Sequence, residues 1–362
     1  TADDVAAIYV DSCLNALSEP HREKGSTLLR WLALWGTLKV DTEAVEQAEF
    51  RFLDTQGIPA QTAPDLLSRL VGTGLVRNWG VNKRLFAIEP LIVGQQILGS
   101  WLLRENAGEY DVSPEGKALV ARLVKCEVPA VDAVLKTLSH LAGARLTEME
   151  AALFMKPVFS ALEANAREGN LTGQYVVADL VEKAGVADPE AALDVLAAIR
   201  TETKASVDVE LDFWGKQTLT HAALVAKIPW TLFQIAERVT DRIVARRYIN
   251  EFRQLVQLEE DGELKAGSGK APKQLLKRLL CESKNSQSYA QPAHDLAVAE
   301  LTAPTSWPFI GLLVECLLNP IRESMEWVYT WSVCTTRRAF VPDGVEWKLA
   351  AEIGRASCRE RV

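Results

Sequence analysis

Residues 64–98 read PDLLSRLVGTGLVRNWGVNKRLFAIEPLIVGQQIL, and a change of hydrophobic period inside this stretch decides the fold. Pro64 suits the first turn of a helix, where a missing N–H leaves nothing unpaired. Leu66, Leu67, Leu70 and Val71 recur at helical spacing, and Gly72-Thr73-Gly74 provides the stop. From Leu75 the period shortens to that of strands. Leu75-Val76-Arg77 and Arg84-Leu85-Phe86-Ala87-Ile88 flank the turn-forming Asn78-Trp79-Gly80-Val81-Asn82-Lys83. Pro90 then opens a further helix carrying Leu91, Ile92, Gln95, Leu98 and Leu102.

Upstream of this stretch, Leu28, Leu29, Leu32 and Trp35 give a helix expected to end between Gly36 and Val40. Asp41 is the expected N-cap of a second helix through Ala44, Val45, Ala48 and Phe52, stopped by Gly57-Ile58-Pro59. Three helices followed by a two-stranded wing form the winged-helix pattern, a variant of helix-turn-helix. The expected domain covers residues 26–106, after a segment 1–25 that closes a preceding helical region.

Downstream the pattern is helix after helix, so the fold class is mainly all-α, a winged helix followed by a solenoid-like α-helical repeat array. Val131, Val134, Leu135, Leu138, Leu141 and Ala142 form an amphipathic stripe. Thr147 and Glu150 make a capping box for a helix that Pro157 is expected to kink or end. Asp188-Pro189 starts another helix, and Leu232, Ile235, Ala236, Val239 and Ile243 line a longer one. Further helices are expected at 274–281, 294–301, 309–318 and 321–333, with polar loops at 258–272 and 283–292. The array divides into 107–256 and 257–351; no fixed-period consensus marks its repeats.

The two ends are read separately. Close after Thr1, Val5, Ala6, Ile8, Tyr9 and Val10 read as the inside of an ordered element, with no leader pattern before it. Residues 352–362, EIGRASCRERV, match one reading frame of a common short-read sequencing adapter. They are expected to be foreign, so that Arg355, Cys358, Arg359 and Arg361 carry no function and the natural chain continues beyond Ala351. The chain is thus expected to be a fragment of a larger intracellular protein.

Composition narrows the classes. Hydrophobic residues are 48% and charged residues 24%, which excludes disorder. No apolar run reaches the ~18 residues of a membrane span. The formal charge is −8, a surface that repels nucleic-acid backbones overall. Cys13, Cys126, Cys281, Cys316, Cys334 and Cys358 form no CxxC pair, so most of them read as small apolar core residues in a reducing cytoplasm.

No motif completes a catalytic site. Gly267-Ser268-Gly269-Lys270 resembles part of a phosphate loop, but Leu264 stands where the first glycine belongs and Ala271 where the hydroxyl belongs. It reads as a linker. His21, His140, His221 and His294 lack partners at ligand spacing, so no metal is expected. Arg242, Arg246 and Arg247 read as a solvated, salt-bridged face near Glu237 and Asp241. Trp31 and Trp35 share one helical face as core, and Trp327 and Trp331 repeat that spacing against a neighbouring repeat. The helix that would enter a DNA groove offers Arg69 as its one cation, beside Asp65. Arg77, Lys83 and Arg84 add charge on the wing, and these four are the candidate nucleic-acid contacts. The helix nonetheless reads as one that packs against protein, and DNA is not the expected partner.

Leu66-Leu67-Ser68-Arg69-Leu70-Val71, Gly74-Leu75-Val76-Arg77 and Arg84-Leu85-Phe86-Ala87-Ile88-Glu89-Pro90-Leu91 together resemble the winged-helix domain of STAND-type ATPases, signal-transducing relatives of AAA+ proteins. In that family the unit follows an ATPase core and precedes a helical-repeat sensor. Many members carry Met-His-Asp where Ile88, Glu89 and Pro90 stand here, the histidine contacting nucleotide; Glu89 is the candidate in its place. The resemblance implies a non-catalytic regulatory fragment, with bacterial antiviral defence as its setting. It further implies a protein ligand on the helical array and a missing N-terminal ATPase domain that would hold ATP and magnesium. The alternatives are a DNA-binding regulator with a helical ligand sensor and a helical interaction scaffold.

Overall fold

The structure, a computed structural model, describes residues 2–40, 46–106, 109–202, 209–211, 217–219, 221–267, 269–283, 286–302 and 309–316. The expected helix start at Asp41, Ala44 and Val45, the helix at 321–333 with Trp327 and Trp331, Ser268, Cys334, and the 352–362 tail lie outside the described residues. The fold is mainly helical, and among the described residues no helix is long and apolar enough to cross a membrane.

Two compact units divide the chain: Thr1–Leu162 with Lys183–Ala191, and Glu163–Glu182 with Ala192–Val362. The first opens with α1 (Ala2–Asn15) and α2 (Glu19–Trp35). The helix α2 starts at Glu19, nine residues before Leu28, the first leucine of its apolar stripe, a start the sequence pattern does not mark because Glu19–Ser26 carries no periodic apolar signal. Gly25 of α2 lies close against the end of α1 and the connection after it, since a Cβ there would lie 3.5 Å from Leu14 Cδ2 and 3.0 Å from Leu17 Cδ1. Next come β1 (Leu38–Lys39), α3 (Ala48–Thr55), α4 (Ala63–Thr73), β2 (Val76–Trp79) and β3 (Leu85–Ile88).

These strands form one antiparallel sheet in the order β1-β3-β2, with Leu38 opposite Phe86 and Arg77 opposite Ala87. The two-residue β1 carries too little pattern to be read from sequence, and it joins the sheet only through β3. Gly74, at φ 85°, caps α4 in the left-handed region and turns the chain into β2. The core beneath the sheet is formed by Leu28, Leu29, Leu32, Phe50, Leu53, Leu66, Leu67, Leu70 and Val76, each at most 3% exposed.

The helix α5 (Leu91–Leu102) packs on α2 and α1, and its end runs into β4 (Leu103–Asn106), paired with β5 (Glu109–Val112). This hairpin interrupts what reads in sequence as consecutive helices. Ser113 then caps α6 (Pro114–Val124), accepting from Gly116 N at 3.0 Å, and α7 (Val131–Arg145) follows.

Among the described residues, Pro157, Pro229 and Pro292 sit inside helices. The helix α8 (Glu148–Glu168) continues through Pro157 rather than ending there, held by buried Phe154, Met155, Val158, Phe159 and Leu162. The second unit carries α9 (Leu171–Ala184) and α10 (Pro189–Glu202) over most of their lengths. It continues with the short pair β6 (Val209–Leu211) and β7 (Gln217–Leu219), and α11 (His221–Ala236), which contains Pro229. The remaining elements are α12 (Arg242–Glu260), α13 (Pro272–Cys281), α14 (Ser286–Thr302), and a helical stretch at 309–316. The stretch read as a polar loop at 283–292 is mostly helix: α14 begins at Ser286 and passes through Pro292. Its anchor is Tyr289, fully buried, whose hydroxyl donates to Ala236 O at 2.7 Å.

Candidate functional site

The five residues singled out by sequence fall on the small sheet and on α4. Arg69 is bound to its own helix, with Nε 2.8 Å from Asp65 Oδ2 one turn earlier. Arg77 projects from β2, and its Nη1 donates to Glu89 Oε2 at 3.0 Å. Glu89 follows β3 directly, and its backbone N–H donates to Leu75 O at 3.3 Å. Arg77 and Glu89 are therefore brought together, and the Glu89 carboxylate is occupied as an ion-pair acceptor. Lys83 and Arg84 belong to the turn between β2 and β3. Gly80 at φ 82°, Asn82 at φ 62° and Lys83 at φ 53° make that turn left-handed in three places, which suits glycine and asparagine. The carbonyl of Arg84 accepts from Val40 N at 2.8 Å, so the turn is tied to the end of β1.

Beside the sheet lies an aromatic cluster. Trp31 meets Phe52 edge to face at 4.6 Å and Trp101 at 5.2 Å, and Trp35 lies 6.0 Å from Trp31. Trp31 and Trp35 are 3% and 4% exposed, the core placement their spacing predicts. Arg122 of α6 lies over Phe52 at 4.9 Å and over Trp31 at 5.8 Å, and Arg30 lies over Trp101 at 5.9 Å. Ring faces carry the negative end of the aromatic quadrupole, so these contacts seat guanidinium groups on an apolar core without burying their charge. Nothing in the spacing of Phe52, Trp101 and Arg122 announces the cluster, because its members come from separate elements.

In the second unit the charged groups are tied across helices. Arg200 Nε donates to Glu251 Oε1 at 2.5 Å and its Nη2 to Oε2 at 3.2 Å, with side chains 20% and 10% exposed. Lys227 pairs with Asp179 and sits 4.1 Å over the Tyr175 ring. Arg247, from the cationic cluster of α12, pairs with Asp194 of α10, while Asp241 caps α12 through Ile243 N and Val244 N. Burial pushes the Tyr289 phenol well up from its ordinary range.

At the phosphate-loop-like segment Lys270 N donates to Gly267 O at 3.0 Å and Gly269 N to Gln274 Oε1 at 3.1 Å. The Lys270 ammonium lies 5.4 Å over the Trp230 ring. Of the histidines, His21 Nδ1 meets Ser18 Oγ at 2.6 Å, and His294, mostly buried, meets Asp295 at 3.3 Å. Among the described residues no group of three or more His, Cys, Asp or Glu could hold a metal ion. No protein-family model matches the chain, and no curated protein or solved structure matches it either.

Proposed function

We propose that this chain is the winged-helix and helical-sensor portion of a STAND-like signal-transducing ATPase, acting in the cytoplasm without a catalytic site of its own. The helical array binds a protein ligand, and the winged helix relays that binding to an ATPase core by shifting between two docked positions. The observation that supports this reading is the order α2, β1, α3, α4, β2, β3 closed by a β1-β3-β2 sheet, with helices following it. Its α4 and β2 cations are matched by carboxylates, Arg69 by Asp65 and Arg77 by Glu89, a surface suited to protein rather than to phosphate.

Two measurements test it. Sequencing the source locus upstream of the Thr1 codon is expected to reveal an in-frame Walker A and Walker B pair. An open reading frame there without one sinks the ATPase reading. Titration of labelled duplex DNA across rising salt is expected to give no specific complex. Affinity that falls steeply with salt, and is lost when Arg69, Arg77, Lys83 and Arg84 are replaced by alanine, makes the module a DNA-binding regulator instead.

A further inference from the structure

Two cysteines 35 positions apart in sequence meet at one place in the second unit. Cys281 is the last residue of α13, and Cys316 lies in the helical stretch at 309–316. The Cys281 Sγ donates to the Cys316 carbonyl oxygen at 3.8 Å, which sets the two residues side by side. Both are free. Their exposure differs: Cys316 is 4% exposed, whereas Cys281 is partly open to solvent. The surrounding residues fix the pair. Leu275, Leu276 and Leu279 of α13 are fully buried, as are Phe309 and Leu313 of the opposite stretch. Lys277, one turn before Cys281, donates to Glu315 Oε1 at 2.6 Å and so bridges the two helices beside the thiols.

We propose that Cys281 and Cys316 form a reversible, peroxide-driven disulfide, with Cys281 as the attacking thiol and Cys316 as the resolving one. The Cys281 thiolate attacks one oxygen of hydrogen peroxide, the O–O bond breaks, and hydroxide leaves and is protonated to water. Cys281 is oxidised to sulfenic acid while the peroxide is reduced. The Cys316 sulfur then attacks the sulfenic sulfur, the S–O bond breaks, and the Cys316 proton departs with that oxygen as a second water. One peroxide and two thiols thus become one disulfide and two waters, and a dithiol reductant reverses the change by exchange.

The electrostatics run the same way. The hydrogen bond from Cys316 holds the Cys281 thiol below its ordinary range, with the Lys277 ammonium helping against burial and the Glu282 and Glu315 carboxylates. The same bond, with burial, pushes Cys316 far up, which keeps it protonated until Cys281 is oxidised. A structural metal fits less well, because a third ligand is lacking among the described residues. Cys281 and Cys316 lie in the helical array and share no residue with the winged helix.

The test is peptide mapping of the whole chain after brief hydrogen peroxide treatment, alkylation and tryptic digestion without reduction. The expected product links peptide 279–284 to peptide 285–322, about 2 Da lighter than the two reduced peptides together, and dithiothreitol removes it. Cys281 is expected to lose alkylation about tenfold faster than the exposed Cys126. In the C316S variant, Cys281 is expected to accumulate as a sulfenic acid that dimedone captures. In the C281S variant, Cys316 stays alkylatable after denaturation. Circular dichroism of both variants checks that they are folded. Wild-type protein that loses Cys281 to sulfinic acid with no linked peptide, or that pairs either cysteine elsewhere, overturns the proposal.

Discussion

The second compact unit carries a largely buried ion pair, whereas the pairs at the small sheet of the first are exposed. Cations rest on ring faces in both, Arg122 over Phe52 and Trp31 in the first and Lys227 over Tyr175 in the second, but in the first the ion pairs Arg69–Asp65 and Arg77–Glu89 lie in solvent. In the second, polar groups far apart in sequence meet below the surface. Arg200 and Glu251 are 51 positions apart, and Tyr289 and Ala236 are 53 apart. Exposed ion pairs contribute about 0–1 kcal/mol each, because water competes and long side chains lose freedom. A buried pair behaves differently, since removing one partner leaves the other without water or counter-charge. The first unit is thus expected to tolerate charge changes on its surface, and the second to depend on a few of them.

The sharpest way to break this contrast is at Glu251. Replacing Glu251 with alanine is expected to destabilise the second unit by about 3 kcal/mol, because the Arg200 guanidinium is then left largely buried and unpaired. Chemical denaturation followed by circular dichroism reads the loss as a lower midpoint. The double replacement Arg200→Met with Glu251→Leu is expected to recover most of it, since two well-packed apolar groups carry no desolvation cost. If the single and double variants fall equally, the pair is not what holds α10 to α12.

The same contrast explains which features could be read from sequence. In the first unit the chain is punctuated locally: Pro64 and Pro90 at helix starts, Gly74 and Gly80 at positive φ, and a period that changes between them. Those signals depend only on neighbours in sequence, so α4, β2, β3 and α5 were legible. Elements whose existence depends on distant partners were not. The two residues of β1 are a strand only because β3 lies beside them, and β4 and β5 pair within a stretch otherwise helical in pattern. The same holds for α14, where Tyr289 is inserted beneath Ala236 and Pro292 is carried inside a helix that a local rule would break. At the candidate site, the positions of Arg69, Arg77, Lys83, Arg84 and Glu89 on one small sheet and its helix followed from the pattern. That Glu89 meets Arg77 did not, because strand register decides which side chains meet across a sheet, whereas Arg69 and Asp65 stand one helical turn apart.

A smaller effect is expected where backbone meets backbone in the first unit. A Cβ on Gly116 would lie 2.7 Å from Leu102 O and 3.0 Å from Val112 Cγ1. Alanine is the better helix former by roughly 0.5–1 kcal/mol. Overpacking against a fixed carbonyl costs about 1–3 kcal/mol, so the clash wins and Gly116→Ala is expected to lower stability by about 1–2 kcal/mol. A thermal melt that rises instead would mean that α6 stands off from the end of α5 in solution, and that the Ser113 cap does not hold the two together.

The smallest expected effect lies at the capping box of α8, on the surface, and pH isolates it. Thr147 N donates to Glu150 Oε2 at 3.0 Å, Thr147 Oγ1 donates to the same oxygen at 2.8 Å, and Glu150 N donates back to Thr147 Oγ1 at 3.3 Å. The backbone hydrogen bond from Thr147, then its hydroxyl, hold the Glu150 carboxyl below its ordinary value. A carboxylate with a lowered folded pKa adds stability above its unfolded pKa and loses it as pH falls through the folded one. Glu150→Ala is therefore expected to melt slightly below the parent at neutral pH, with the gap closing in acid below the ordinary glutamate range. Alanine has the higher helix propensity, so a deficit at neutral pH cannot come from the helix interior and must come from the cap. A gap that stays constant down to the acid limit would mean that the ionised carboxylate does not accept from Thr147, and that α8 begins without its reciprocal bond.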